Sequence, residues 1–187
     1  MPFVSRARMH ARAHYSMYPM KSPVQAKARS RATPPAASRQ RRIEVRASGV
    51  HGKGVYALRA IAAGERIVEY KGERISWPEA QRRHPHDPAD PNHTFYFHVD
   101  DDTVIDAKYG GNVARWINHA CDPNCESDAV GSRVYIKALR DLAPGEELFY
   151  DYGLVIDERY TPKLKKEYAC RCGAKACRGT MLAPKRR

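Results

Sequence analysis

The stretch Arg115-Trp116-Ile117-Asn118-His119-Ala120-Cys121-Asp122-Pro123-Asn124-Cys125 (RWINHACDPNC, 115–125) places an amide, an imidazole and two thiols close together along the chain. An amide beside an imidazole can recognise a polar small molecule through several hydrogen bonds. Asn and Asp also cap turns, and the local sequence fits that use equally well. Val113 to Ile117 is predicted as one helical turn leading into the Asn118-His119 pair.

Outward from this stretch the pattern is one of short strands. Gly52, Gly54, Gly64 and Gly72 punctuate the predicted strands VYAL (55–58) and RIVEY (66–70). Ser76-Trp77-Pro78-Glu79 has the form of a capping box opening a short helix through about Arg83. The proline- and aspartate-rich run HPHDPADPNH (84–93) is predicted as a loop. Phe95 to Val99 and Thr103 to Ile105 flank Asp100-Asp101-Asp102 as a hairpin with an acidic turn. Arg133 to Leu139 and Glu147 to Tyr150 are further strands, separated by the turn Ala143-Pro144-Gly145. Many short strands and little helix define a mainly β domain.

With 187 residues, the chain has the size of one ordinary domain with some length to spare. No run approaches the ~18 consecutive apolar residues of a membrane span. Ten of the 33 Lys and Arg, and none of the 21 acids, fall within residues 1–42; the first acid is Glu44. The formal charge of +12 therefore sits in the N-terminal segment, and the remainder is near neutral. Residues 1–40 are expected to be a disordered basic tail, rich in Arg, Ala, Ser and Pro. Such a tail suits a polyanionic partner such as nucleic acid, or is simply a solvated arm. It lacks the apolar core of a secretory signal, which favours an intracellular setting; an organelle transit peptide is a weaker fit.

Three groups carry candidate chemistry. Cys170-Arg171-Cys172 followed by Cys177 supplies three closely spaced thiolates, enough for three corners of a zinc tetrahedron. The fourth ligand is left to Cys121, Cys125 or one of eight histidines. Residues 156–187 are expected to be an appendage fixed by this metal rather than by a core of its own. His51-Gly52-Lys53-Gly54 lies at the start of a strand, where glycines let the backbone approach a ligand. In GEELFYDYG (145–153), Tyr150 and Tyr152 share one strand face, suited to lining a channel for an amine or to packing a core.

Taken in order, HGKGVYA (51–57), RWINHACDPNC (115–125), GEELFYDYG (145–153) and CRCGAKACRG (170–179) resemble the SET-domain protein-lysine methyltransferases with a post-SET zinc region. The resemblance spans about Arg42 to Leu182. It is strongest toward the trithorax and histone H3 lysine-9 groups, whose pattern VIDAKYGGNVARWINHACDPNC (104–125) continues. It implies a SET fold of short curved sheets with a threaded, knot-like C-terminal segment and a zinc-bound lid. The expected divisions are 1–40 tail, 41–155 SET domain and 156–187 post-SET region.

The same resemblance implies roles residue by residue. His51, Gly52, Lys53 and Gly54 correspond to the loop holding the methionine end of S-adenosylmethionine. Asn118 and His119 match the pair contacting the cofactor's amino group and adenine, and Arg171 lies against it. Cys121 matches the fourth zinc ligand beside Cys170, Cys172 and Cys177, leaving Cys125 a spare thiol. Tyr152 matches the catalytic tyrosine, and Tyr150 the position that governs how many methyl groups are added. Phe95 aligns where the family often has a tyrosine. Alternation allows only one of Phe95 and Tyr96 to face the site, so either the register shifts to Tyr96 or one hydroxyl is missing.

The implied activity is transfer of a methyl group to lysine, mainly once, on a histone-like or other basic protein. The rival is a chromatin or nucleic-acid binding module that keeps the fold without turnover. In a nucleated cell the expected location is the nucleus; in a bacterium it is the cytoplasm or nucleoid, or a host after export. A further expectation is self-methylation at Lys27, in the histone-like run QAKARS (25–30).

Overall fold

The computed structural model describes residues 7–9, 41–84 and 93–185. Lys27, most of the basic tail and most of the 84–93 loop lie outside the described residues. In chain order come β1 (Ala7–Met9), β2 (Ile43–Ala47), β3 (Lys53–Ala57), β4 (Arg66–Glu69), β5 (Glu73–Ser76) and helix α1 (Trp77–Arg83). They are followed by β6 (Tyr96–His98), β7 (Thr103–Asp106), a 3₁₀ turn (Val113–Trp116), β8 (Asn118–His119) and β9 (Cys125–Val130). The described chain ends with β10 (Arg133–Ala138), β11 (Phe149–Tyr150), β12 (Leu154–Ile156) and α2 (Pro162–Glu167). The fold is mainly β, as the short alternating segments require.

Strand β10 illustrates why. Val134, Ile136 and Ala138 are buried while Arg133 is exposed, a period of two that suits one face of a sheet. Ile136 and Leu148 are fully buried, each contributing about 1.5–3 kcal/mol relative to exposure. Helix α1 starts as expected, with the Ser76 hydroxyl accepting from the Glu79 amide at 3.4 Å. The reciprocal half of the capping box departs from expectation: the Glu79 carboxylate bonds forward to Arg82 and Arg83 instead.

The strands form hairpin β2-β3, a sheet ordered β5-β7-β6, a sheet ordered β4-β10-β9-β11-β8, and the pair β1-β12. In the largest sheet, β11 lies between β8 and β9 and runs parallel to both, with Phe149 opposite Asn118 and Tyr150 opposite His119 and Cys125. Two strands close in sequence are thus parted by one from far downstream, the placement a threaded segment requires. Buried Asn124 fastens it: its Nδ2 donates to the Glu147 carbonyl (2.8 Å) and its Oδ1 accepts from the Phe149 amide (2.8 Å).

Two expectations need correction. The tail is not wholly without structure, because β1 pairs antiparallel with β12, Ala7 opposite Ile156, Arg8 opposite Val155 and Met9 opposite Leu154. The C-terminal region also has an apolar cluster: Leu154, Ile156 and Leu182 are buried together against Tyr160, Leu164 and Tyr168. Alternating apolar residues on β12 meet the inner face of α2, a pairing hidden in a segment that looks polar when read linearly. A division at 155 would cut through β12.

Candidate active site

The sulfur atoms of Cys121, Cys170, Cys172 and Cys177 lie within 4.8 Å of one another. Cys121 Sγ is 3.7 Å from Cys170 Sγ and 3.9 Å from Cys177 Sγ. A Zn–S bond of about 2.3 Å sets tetrahedral sulfurs roughly 3.8 Å apart, so the four thiols have the spacing a zinc ion demands. Cys125 is fully buried on β9, away from this group, and burial pushes its thiol up to about 12. It is an inert core side chain rather than a ligand.

The cysteine group ties the C-terminal region to the Asn-His stretch, and a second link reinforces it. Arg178 reaches Asp151 with both guanidinium nitrogens, at 2.8 and 2.9 Å, while its amide donates to Cys121 Sγ. Sequence reading missed this pair, which joins two segments whose contact only the fold creates.

Beside the cysteines lies a cavity of about 720 Å³. Its walls include His51, Gly52, Lys53, Phe95, Asn118, His119, Tyr152 and Arg171. Residues from five separate parts of the sequence therefore converge, and the volume falls within the range of cofactor-sized sites. Gly54 is the exception among the residues singled out, since it does not line this cavity. A Cβ there would lie 2.1 Å from the Glu147 carboxylate, so the glycine makes room for Glu147. That carboxylate accepts from Asn118 Nδ2 at 3.0 Å and from the Tyr56 hydroxyl at 2.8 Å. Asn118 Nδ2 also donates to the Lys53 carbonyl at 2.9 Å, which fixes the His51–Gly54 loop to the Asn-His pair. Trp116 supplies a further wall that sequence reading overlooked, with the Lys53 ammonium 4.6 Å from its ring centre.

His119 is buried, and burial pulls its imidazole down to about 4, against the opposing pull of Asp151. The neutral ring accepts the Tyr152 amide proton at Nδ1 (3.2 Å), which places its own proton on Nε2, 3.5 Å from Cys121 Sγ. The imidazole thereby connects the tyrosine segment to the cysteine group.

Behind the cavity stands an aromatic cluster. Tyr150 and Tyr152 have ring centres 4.8 Å apart, sharing a face as expected. Phe97 lies 6.3 Å from Tyr150 and 5.0 Å from Tyr70. Burial holds all three phenols, Tyr70, Tyr150 and Tyr152, well above the usual tyrosine range. The Tyr152 hydroxyl donates to the Ile117 carbonyl at 2.9 Å, and the Tyr70 hydroxyl donates to the Phe95 carbonyl at 3.3 Å.

The choice between Phe95 and Tyr96 is resolved by this geometry. Tyr96 packs with Ile75, Ala80 and Val104, its hydroxyl donating to the Ala80 carbonyl at 3.0 Å. Phe95 and Phe97 point to the other side, Phe95 against Trp116 with ring centres 5.0 Å apart. No register shift brings the Tyr96 hydroxyl to the tyrosine cluster. A phenol comes instead from Tyr70, at the end of the RIVEY segment, where no local signal marked it.

Residues 52–153 match the SET domain, and the chain belongs to the SET-domain family. Among its relatives, the Saccharomyces cerevisiae "Histone-lysine N-methyltransferase, H3 lysine-4 specific" is 43% identical over 137 residues. The Drosophila virilis "Histone-lysine N-methyltransferase trithorax" is 39% identical over 135 residues, and the Candida albicans H3 lysine-4 specific protein 41% over 137. These alignments cover 71%, 70% and 71% of this chain but only 12%, 3% and 13% of the relatives.

Proposed function

We propose that the chain is an S-adenosylmethionine-dependent protein-lysine N-methyltransferase acting on histones or similarly basic proteins, mainly once per lysine. What carries this reading is the meeting of His51, Lys53, Asn118, His119, Arg171 and Tyr152 around one cavity backed by a cluster of phenols. The cavity fits the cofactor in size and donor set, with buried Asn118 and His119 in its wall and the Arg115 Nε and Trp77 Nε1 donors on lining residues unpartnered among the described residues. Asn118, His119, Lys53 and Arg171 would hold the cofactor, which when bound supplies an activated methyl group on a sulfonium.

The protein's part is to present a neutral amine in line. Free lysine has a pKa of about 10.4, and burial among aromatic rings disfavours its charged form. Tyr152 donates its own proton to Ile117, so its oxygen lone pairs are left to accept from an amine and orient it. Glu146 and Glu147, the carboxylates of this segment, are engaged with Arg140, Asn124, Tyr56 and Asn118, in keeping with a reaction that relies on alignment rather than a strong base. Alignment contributes ~7–11 kcal/mol in favourable cases. The four cysteines would bind one zinc ion and fix the C-terminal region against the cavity. In a nucleated cell this activity belongs with chromatin.

The test is incubation of the chain with labelled S-adenosylmethionine and a panel of histones and basic proteins. Incorporation into lysine supports the reading; none with any protein, from a chain that binds the cofactor, overturns it in favour of a binding module.

A further inference from the structure

The methyltransferase reading explains the cavity but not the strand that lies at its edge. Strand β1 pairs with β12, which begins two residues beyond Tyr152, and it also packs against β6. Both neighbours contribute to the cavity wall, β12 through Leu154 and β6 through Tyr96. Gly153, at φ 57°, turns the chain between Tyr152 and β12, so the strand edge starts beside the phenol cluster. An extended segment laid there runs past the mouth of the site, joined by main-chain hydrogen bonds that are indifferent to its sequence.

We propose that this edge of β12 is the docking strand for the protein substrate, and that Ala7–Met9 is a built-in occupant that competes for it. The inference rests on the methyltransferase reading above. The chemistry of the occupant supports it. The segment around β1 is basic, with Arg6, Arg8 and Arg12, like the substrates proposed here. It contains no lysine, the first being Lys21, so what it brings to the edge cannot be methylated and consumed. Three residues of pairing are weak alone, yet a tethered segment competes at an effective concentration in the millimolar range. A free lysine peptide must wait for the open fraction, so its apparent affinity is reduced by that fraction. Opening 10–50% of the time would correspond to a penalty of about two- to ten-fold.

The experiment compares the full chain with a variant carrying Ala7→Pro and Arg8→Pro together. Adjacent strand amides point to opposite edges, so the pair removes a donor toward β12 whichever faces it. An Arg8→Ala variant keeps every main-chain donor and serves as control. The expected result is a KM for a lysine-bearing basic peptide lowered about two- to ten-fold in the double proline variant, with kcat unchanged and Arg8→Ala equal to the parent. A synthetic peptide of residues 1–14, added to the proline variant, should restore the higher KM competitively against the lysine peptide and not against cofactor. Hydrogen exchange at Leu154, Val155 and Ile156 should be faster in the proline variant and slow again when the lysine peptide is added. Exchange reads the docking without turnover, so its success beside absent methylation would count against the enzyme reading alone. Unchanged exchange and unchanged KM in the proline variant would overturn the proposal.

Discussion

Tyr152 and Tyr150 sit side by side, yet their surroundings give them different work. The Tyr152 hydroxyl is anchored to the Ile117 carbonyl and lines the cavity; Tyr150 lies behind it, against Phe97. Tyr152→Phe should lower kcat on a lysine peptide by a hundred-fold or more, about the loss of one well-placed polar group in a water-excluded site. Tyr150→Phe should leave turnover high and move the product toward di- and trimethyl-lysine, because removing the hydroxyl frees the space its water would hold. Mass spectrometry of the peptide over time reads both; rapid trimethylation by the unaltered chain would refute the monomethyl assignment. The sequence disclosed these two residues through their spacing on one strand. It concealed Tyr70 and Phe97, since no local pattern tells which buried ring will meet another from a distant strand. It concealed Glu147 as well, whose service to Asn118 depends on the absence of a side chain at Gly54.

Among the elements, the cysteine group and the inserted strand β11 are held by different forces. Cys177→Ser should reduce bound zinc from one per chain and expose the C-terminal region to protease, whereas Cys125→Ser should retain the metal; elemental analysis and limited proteolysis distinguish them. Equal zinc loss from both variants would contradict the ligand set. Strand β11 depends instead on Asn124, which answers the Phe149 amide and the Glu147 carbonyl. Asn124→Ala should cost about 1–3 kcal/mol for each main-chain group left unpaired. Thermal unfolding should then begin roughly 2–4 °C lower per kcal/mol. The fold class was legible because strands as regular as β10 announce themselves by alternation. The order of strands was not, since the two-residue strands β8 and β11 carry too little pattern to reveal their partners. The apolar cluster of the C-terminal region was hidden for a related reason: Leu154 and Leu182 lie far apart in sequence and meet only as a bridge between chains of the fold.

For the whole molecule, charge is divided between a basic tail and a nearly neutral body. Removing residues 1–40 should flatten the salt dependence of any DNA binding, since the slope falls by about 0.9 for every phosphate the protein ceases to neutralise. Methylation of a free peptide should survive that removal; its abolition would make the tail part of the catalytic apparatus. The insertion of β11 between β8 and β9 has a further consequence, for the order in which the molecule is built. About 30 residues separate His119 from its partner Tyr150, and pairings between such distant positions form late and slowly. The β9-β10 hairpin can close early from neighbouring residues, but β11 must find a slot whose two walls are already in place. Tyr152, just beyond it, is therefore delivered at the end of folding. A partly folded chain can carry the Asn-His wall of its site and still be inert, so the last strand to arrive also brings the residue that makes the site competent.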